Sequence, residues 1–299
     1  MDPAGRFTAP HPCFILFVTG PAADRPRGNK ENKGRERVRM LQDGQGDGKA
    51  EGAETGMAAT LGVQSDVGRV RRHNEDSFAV REDLGLWVVA DGMGGAAAGE
   101  VASAIVVETI AKAVEAGAEL DAAIAEANRS VLKAAASGRG KPGMGSTVVA
   151  AQVNGRDYKV AWVGDARAYL WGDGLRRLSR DHSRVQELLD AGMISAEEAR
   201  LHPQRSVITR VLGGPDGTAA ASDEVSGSLA PGQGLLLCSD GLTSEVCDAE
   251  IARVLAGNPA VNGGGQSAVE RLVSLALDRG GSDNVTVILI GMPAPEDAR

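Results

Sequence analysis

The stretch Leu86-Trp-Val-Val-Ala-Asp-Gly-Met-Gly-Gly95 decides the fold of this chain, because it joins a buried strand to a polar turn. The apolar run over residues 86–90, bounded by glycine, predicts a buried strand. Asp91 ends the run, and glycines follow at positions 92, 94 and 95. A carboxylate at the end of a buried strand is costly unless a positive group meets it. The stretch therefore predicts a cation site at the end of a strand.

Three later segments repeat this pattern of an aspartate at a strand end or an adjacent turn. They are Trp162-Val-Gly-Asp165, Leu236-Leu-Cys-Ser-Asp240-Gly241 and Gly280-Gly-Ser-Asp283-Asn284. With Glu75 and Asp76 they form a set of hard oxygen donors, and no His or Cys stands beside them at ligand spacing. Such a set favours magnesium, manganese or calcium over zinc or copper, and the calcium-loop pattern is absent from the sequence. We expect one shared site for two ions, which suits attack of water on a phosphate ester.

Composition is compatible with a core-forming domain that binds cations. The chain has 299 residues, 42% of them hydrophobic and only 3% aromatic, and a net charge of -8. This charge argues against general nucleic-acid binding. Residues 1–56 hold nine basic and eight acidic side chains, so the acidic excess lies in the remaining chain. A cation site would use part of that excess.

The cysteines and apolar runs favour a cytoplasmic protein with no membrane partner. Three cysteines show neither metal-ligand nor disulfide spacing, which fits a reducing compartment, and Cys238 is expected to be a packed core thiol. The apolar run Cys13-Phe-Ile-Leu-Phe-Val18 is far shorter than the roughly 20 residues that span a bilayer.

The first 56 residues differ from the rest and predict a disordered extension. Proline, glycine and charge alternate there without a period, and residues 25–39 carry seven basic side chains. A basic interaction arm is the alternative. Met57 stands directly before the first ordered pattern and could be the true start. We expect one domain over residues 57–292 and a tail over residues 293–299.

Within that domain, the grouping of elements favours α+β with antiparallel sheets over alternating β-α-β. Predicted strands lie at 60–67, 77–80, 86–90, 147–153, 158–163, 168–171, 175–178, 234–238 and 285–290. Predicted helices lie at 97–116, 121–136, 248–256 and 267–278, with two short ones inside 181–215. The last strand is apolar on both faces, so we expect it to lie centrally between layers.

Several of these helices carry start signals. Capping boxes are predicted at Ser195 with Glu198 and at Ser267 with Glu270. Asp121 and Asp248 are expected to cap the helices that follow them.

Eight motifs then identify a resemblance, and they occur in the family's order across about residues 60–291. They are Val70-Arg-Arg-His-Asn-Glu-Asp-Ser77, Ala90-Asp-Gly-Met-Gly-Gly95, Gly99-Glu-Val-Ala-Ser103, Gly145-Ser-Thr147, Val163-Gly-Asp-Ala-Arg-Ala-Tyr169, Asp181-His-Ser183, Cys238-Ser-Asp-Gly-Leu242 and Gly281-Ser-Asp-Asn-Val-Thr286. They resemble the metal-dependent type 2C (PPM) Ser/Thr protein phosphatases of the bacterial single-domain kind. The resemblance implies an antiparallel β-sandwich flanked by helix pairs, in α-β-β-α layers.

The resemblance also implies a centre of two manganese or magnesium ions. Asp91 would bridge both ions, and the carbonyl of Gly92 would bind one of them. Asp240 and Asp283 would hold the other ion.

Four further residues receive roles from the resemblance. Glu75 or Asp76 would support the ions directly or through water, and Asp165 would help to hold a third, weaker ion. Arg71, four residues before Glu75, stands at the family's phosphate-binding position. A guanidinium suits that role because its planar fork matches two phosphate oxygens. The alternatives are a solvated charge for Arg71 and a salt bridge to Arg167 for Asp165.

The implied activity is hydrolysis of phosphoserine and phosphothreonine in proteins by a hydroxide that bridges the two ions. Residues 181–215 match the variable flap, which influences substrate choice. The implied partners are phosphoproteins, targets of a bacterial Ser/Thr kinase in signalling, and we expect a monomer.

One departure and two rivals stand beside this interpretation. Many relatives carry a histidine near the first metal loop, which acts as general acid. The loop after Asp91 in this chain has no histidine. His73, two residues before Glu75, is the histidine nearest in sequence to a candidate ligand. The pattern Gly92-x-Gly94-x-x-Ala97 also fits a dinucleotide-binding fingerprint, although Asp91 would face the pyrophosphate. A relative that binds phosphoproteins without hydrolysing them is disfavoured, because Asp91, Asp240 and Asp283 are all present.

Overall fold

The computed structural model describes residues 58–95, 98–214, 221–258 and 264–292. The extension predicted over residues 1–56, Met57 and the tail 293–299 lie outside these ranges. Within them, strands and helices segregate into two antiparallel sheets with helices on the outer faces. The predicted α+β sandwich with α-β-β-α layers is confirmed.

The strands in chain order are β1 (Ala59–Asp66), β2 (Asp76–Arg81), β3 (Leu86–Met93), β4 (Gly145–Ser146), β5 (Val148–Asn154), β6 (Asp157–Val163), β7 (Arg167–Gly172), β8 (Gly174–Arg177), β9 (Asp223–Ser228), β10 (Gly234–Cys238) and β11 (Val285–Gly291). One sheet has the order β1-β11-β10-β7-β8, and the other has the order β2-β3-β5-β6-β9 with β4 paired to β3. The last strand, β11, lies between β1 and β10 and is buried throughout, as its two apolar faces predicted.

The helices in chain order are α1 (Ala98–Glu115), α2 (Leu120–Ala136), α3 (Arg184–Asp190), α4 (Ala196–Leu201), α5 (Asp240–Thr243), α6 (Asp248–Gly257) and α7 (Gly265–Asp278), with a 3-10 turn at Glu82–Leu84. Helices α1 and α2 pack on the sheet that contains β3, and α6 and α7 pack on the sheet that contains β11. No helix in the described ranges is long and apolar enough to cross a bilayer.

The opening stretch shows why the layers form. Successive strand residues point to opposite faces. Leu86, Val88 and Ala90 therefore pack against the helix layer, while Trp87 and Val89 pack into the core between the sheets. Since both faces of β3 are covered, every position of its apolar run is buried.

Several boundaries differ from the predictions. Strand β3 continues through Asp91 to Met93, because Gly92 pairs with Ser146 in β4. Strand β9 was not predicted, since its half-buried edge sequence Asp-Glu-Val-Ser-Gly-Ser has only one large apolar residue. It pairs with β6 at the edge of the sheet.

The helix starts also differ in part. The Ser195–Glu198 capping box is confirmed, whereas α7 begins at Gly265 and contains Ser267, so the box predicted there was wrong. Helix α2 begins at Leu120 after Glu119, so Asp121 lies in the first turn and does not cap it. Helix α6 begins at Asp248 itself, and Cys247 is the residue that caps it.

Candidate metal centre

The strand pairing brings the aspartates predicted from sequence to one end of the sandwich. Asp76 on β2 lies directly opposite Asp91 on β3. In the other sheet, Asp240 follows β10 and Asp283 precedes β11, and these two strands are antiparallel neighbours. Asp165 precedes β7, whose first residue pairs with the last residue of β10. Five carboxylates from both sheets therefore gather at this end.

Their mutual repulsion and burial perturb their protonation. Burial, followed by the charges of the other four aspartates, raises the pKa of Asp91 well above its usual range. Burial raises the pKa of Asp76 to about 7 and that of Asp240 to about 6, with neighbouring carboxylates adding to each shift. Burial and then the charge of Asp240 raise the pKa of Asp165. Such shifts mark a cluster of acids that a divalent cation would stabilise in its ionised form.

Three carboxylate oxygens in the cluster have no hydrogen-bond partner. They are the Oδ1 atoms of Asp76, Asp165 and Asp240, all shielded from solvent. A buried acceptor without a partner carries its full desolvation cost. Coordination to a cation would satisfy these oxygens, and hard oxygen donors are those preferred by magnesium and manganese. The donor set therefore fits the ions that the sequence implied.

The arrangement is not a closed coordination shell. In the described part of the chain, no three His, Cys, Asp or Glu side chains already converge on one point as a metal ion would require. Two of the carboxylates have protein partners instead. Asp283 is paired with Arg71, and one oxygen of Asp76 is hydrogen-bonded to two hydroxyls. The fit consequently rests on donor chemistry, burial and partnerless oxygens.

Two hydroxyls that sequence analysis missed orient Asp76. Ser239 Oγ donates to Asp76 Oδ2 at 2.8 Å, and Thr286 Oγ1 donates to the same oxygen at 2.7 Å. The Thr286 backbone N–H donates in turn to Ser239 Oγ at 2.9 Å. All three side chains are buried. The sequence did contain a signal for them, since Ser239 stands next to Asp240 and Thr286 stands three residues after Asp283.

Asn284 holds the loop that carries Glu75. Its Oδ1 accepts the Glu75 backbone N–H at 2.8 Å, and its Nδ2 donates to the carbonyls of Val67 and His73 at 2.9 and 3.0 Å. This side chain therefore holds the segment between β1 and β2 in place. His73 itself is exposed.

Gly92 and Gly99 allow a close approach of β3 to the start of α1. A Cβ at Gly92 would collide with the Gly99 carbonyl oxygen, and a Cβ at Gly99 would meet the Gly92 carbonyl and the Glu75 carboxyl carbon. The Glu75 carbonyl accepts hydrogen bonds from Gly92 N and, at 2.6 Å, from Ser103 Oγ. Glu75 and the Gly92 carbonyl are thereby held beside each other. Gly99 and Ser103 stand within one of the eight motifs, and no role was predicted for either residue.

Arg71 lies at the cluster. Its Nη2 donates to Asp283 Oδ2 at 2.7 Å, and its side chain is 50% exposed while that of Asp283 is 29% exposed. The guanidinium can therefore reach both solvent and a candidate ligand. Arg72 is an exposed neighbour.

Other expectations have mixed outcomes. The alternative of an Asp165–Arg167 salt bridge is wrong, because Arg167 pairs with Asp181 at 2.7 Å. Cys238 is a buried core thiol, as predicted. His182, quoted above only within a motif, accepts the Gly164 N–H through Nδ1 at 3.1 Å.

The dinucleotide-binding rival does not fit this topology. A Rossmann fingerprint needs a strand in a parallel βαβ unit. Both β2 and β5 flank β3 and run antiparallel to it. The glycine-rich segment after Asp91 is therefore not the phosphate-binding turn of a Rossmann fold.

Comparison with known proteins agrees with this geometry. The family model described as protein phosphatase 2C matches residues 68–258. "Serine/threonine phosphatase stp" of Listeria innocua is 37% identical over 244 residues, which cover 76% of this chain and 93% of that protein. "Serine/threonine protein phosphatase PstP" of Mycobacterium tuberculosis is 40% identical over 234 residues. That match covers 76% of this chain but only 44% of PstP, so the chain spans less than half of that relative.

Solved structures give the same result. The Mycobacterium tuberculosis phosphatase PstP/Ppp superposes with a TM-score of 0.70 at 37% identity, covering 79% of this chain and 98% of that one. The catalytic domain of PstP in complex with two manganese ions gives a TM-score of 0.68 at 34% identity, covering 79% and 97%. Sequence motifs, sandwich topology and these likenesses lead to one conclusion, that the chain belongs to the protein phosphatase 2C family.

Proposed function

We propose that this protein hydrolyses phosphoserine and phosphothreonine in phosphoproteins with the help of two manganese or magnesium ions. The observation that carries the proposal is the cluster of buried and partly buried aspartates from both sheets, three of which keep a shielded oxygen without a hydrogen-bond partner. Membership of the protein phosphatase 2C family supports the same reaction. A PstP structure with two manganese ions supports the cofactor.

The ligands that would hold the ions are Asp91, the Gly92 carbonyl, Asp240, Asp283, Glu75 and Asp76, with Asp165 for a third, weaker ion. When bound, the ions supply an activated water for direct attack on phosphorus and neutralise charge on the phosphoryl oxygens. No phosphorylated enzyme is needed, because water is the nucleophile.

The protein's own contribution is orientation of these groups before substrate arrives. Ser239 and Thr286 fix one oxygen of Asp76, leaving the other free. Asn284 and Ser103 fix the backbone on both sides of Glu75. Held side chains lose little entropy when they bind, which favours a well-defined geometry at the reacting phosphate.

Arg71 is proposed to bind the substrate phosphate. It already donates to a carboxylate at the edge of the cluster, and half of its side chain faces solvent. A phosphate entering from solvent would replace that carboxylate as its acceptor. The planar fork can then hold two phosphate oxygens.

The remaining assignments are proposals about cellular context. The flap, residues 181–215 and described up to residue 214, carries α3 and α4, and it is proposed to influence substrate choice. The targets are proposed to be those of a bacterial Ser/Thr kinase, in a cytoplasmic signalling pathway, with the phosphatase acting as a monomer.

The test is hydrolysis of an aryl phosphate and a phosphothreonine peptide, first with Mn²⁺ and then with a chelator. We expect turnover that chelation abolishes and Mn²⁺ restores. Activity that is indifferent to chelation would refute the binuclear mechanism. Asp240→Asn should lower turnover by about 100-fold or more, since a ligand is lost, whereas Asp278→Asn should not change it. Asp278 is the matched control because it is an exposed aspartate paired with Arg69.

A further inference from the structure

We propose that His182 is a positioning residue that locks the turn before Asp165 to the base of the flap. The inference deepens the proposed function, because it rests on the assignment of Asp165 to the weakest ion. It concerns the binding of that ion and the placement of the flap.

His182 holds Gly164, the residue before Asp165, from two sides. The Gly164 N–H donates to His182 Nδ1 at 3.1 Å, and the His182 N–H donates to the Gly164 carbonyl at 2.9 Å. Gly164 has a φ of 105°, and a Cβ there would collide with Thr147. Thr147 in turn donates its backbone N–H to the Asp91 carbonyl at 2.8 Å. The turn that carries Asp165 is therefore fixed between His182 and the strand that carries Asp91.

The same histidine joins the two ends of the flap. Its carbonyl accepts the Thr209 N–H at 2.8 Å. Ser183 and Ile208 form an isolated β-bridge, and Arg184 N–H donates to the Val207 carbonyl at 2.8 Å. The chain leaving for α3 and the chain returning after α4 thus meet at His182.

The ring contacts define one neutral tautomer. Because Nδ1 accepts a backbone N–H, the ring proton lies on Nε2. Nε2 lies 3.3 Å from Asp223 Oδ2, which can accept that proton's hydrogen bond, and Arg210 donates to Asp223 Oδ1 at 2.8 Å. The ring also stacks on Trp162, with centroids 6.5 Å apart. One face and both nitrogens of the imidazole therefore have neighbours that set its orientation.

The consequence reaches Asp165 through the backbone. Its Oδ1 is buried and without a partner, so the direction of that carboxylate depends on the turn that bears it. Releasing Gly164 would let the turn rotate and move the carboxylate away from its ion. A positioning residue of this kind should affect ion binding through its Nδ1 contact specifically.

Two amide substitutions at His182 distinguish the contact made by Nδ1 from the contact made by Nε2. The Oδ1 of Asn in His182→Asn can replace Nδ1 as the acceptor for Gly164, whereas His182→Gln keeps a polar group only at the Nε2 edge. We would measure Mn²⁺ binding by titration calorimetry and hydrogen exchange of the Gly164 amide by NMR. Asp165→Asn serves as the reference, since it should remove the weakest class of Mn²⁺ sites.

For His182→Gln we expect about three- to tenfold weaker binding in the weakest Mn²⁺ class and about three- to tenfold faster Gly164 exchange, the range of one net hydrogen bond. His182→Asn should stay within about twofold of the unsubstituted protein in both. Equal losses in both variants would overturn the proposal, because they would indicate general loosening. Faster Gly164 exchange with an unchanged titration would overturn the link to the ion. The exchange measurement needs no turnover, so failure of the phosphatase assay is distinguishable from failure of this inference.

Discussion

Replacing Arg71 by glutamine should have opposite effects on metal and on phosphate. In the structure, Arg71 Nη2 forms an ion pair with Oδ2 of Asp283, a proposed metal ligand, at 2.7 Å. A divalent ion must displace that cation before it can use the carboxylate fully. Substrate phosphate, in contrast, is proposed to need the same guanidinium. Arg71→Gln should therefore tighten Mn²⁺ binding and weaken phosphate binding.

The sizes of the two effects follow from exposure. The ion pair is substantially exposed, with side chains 50% and 29% accessible, so its loss is worth about 0.2–1 kcal/mol. Mn²⁺ affinity should thus rise by at most about fivefold. A hydrogen bond to a charged group contributes about 1.5–3 kcal/mol, so the KM for a phosphopeptide should rise by about 10- to 100-fold.

Titration calorimetry with Mn²⁺ measures the first effect, and inhibition by inorganic phosphate together with KM measures the second. Arg72→Gln is the matched control, because it removes the same charge from the adjacent exposed position. We expect both quantities to be nearly unchanged in that variant. Weaker Mn²⁺ binding in Arg71→Gln, or equal changes in Arg72→Gln, would refute the reasoning.

Two further predictions concern stability. The raised pKa values of Asp76, about 7, and of Asp240, about 6, mean that the folded chain holds protons which the unfolded chain releases near pH 4. With a chelator present, the melting temperature should accordingly fall as pH rises from 5 to 8, and Mn²⁺ should flatten the profile; a rise over this window would contradict the argument. Asp181→Asn removes the buried carboxylate that pairs with both Arg167 and Arg177, and it should cost about 3 kcal/mol in chemical denaturation. Asp278→Asn should cost almost nothing, and equal costs in the two variants would exclude the buried pair as the cause.

Local sequence patterns were sufficient for much of the fold. The predicted strands at 86–90, 147–153 and 158–163 correspond to β3, β5 and β6, because the apolar pattern of a covered strand is set by nearby residues. The candidate metal ligands were then identified from the eight motifs, which occur in the same order as in the family.

The supporting contacts could not be predicted in the same way. Ser239 and Thr286 lie 163 and 210 positions from Asp76, and only the pairing of distant strands brings them to it. Strand β9 was missed for a similar reason, since its strand conformation depends on pairing with β6 and not on a strong apolar pattern.

The pairing of β1 with β11 has a consequence for biosynthesis. Ala59 lies opposite Gly291, so the first described strand finds its neighbour only after the ribosome has made the last one. Contacts of such long sequence separation form late and slow folding, because their loop-closure entropy is lost before they stabilise the chain. A nascent chain that ends before Thr286 lacks one of the two hydroxyls that hold Asp76. The metal centre is therefore completed only once β11 has been made, and fragments that end before β11 should lack a finished site.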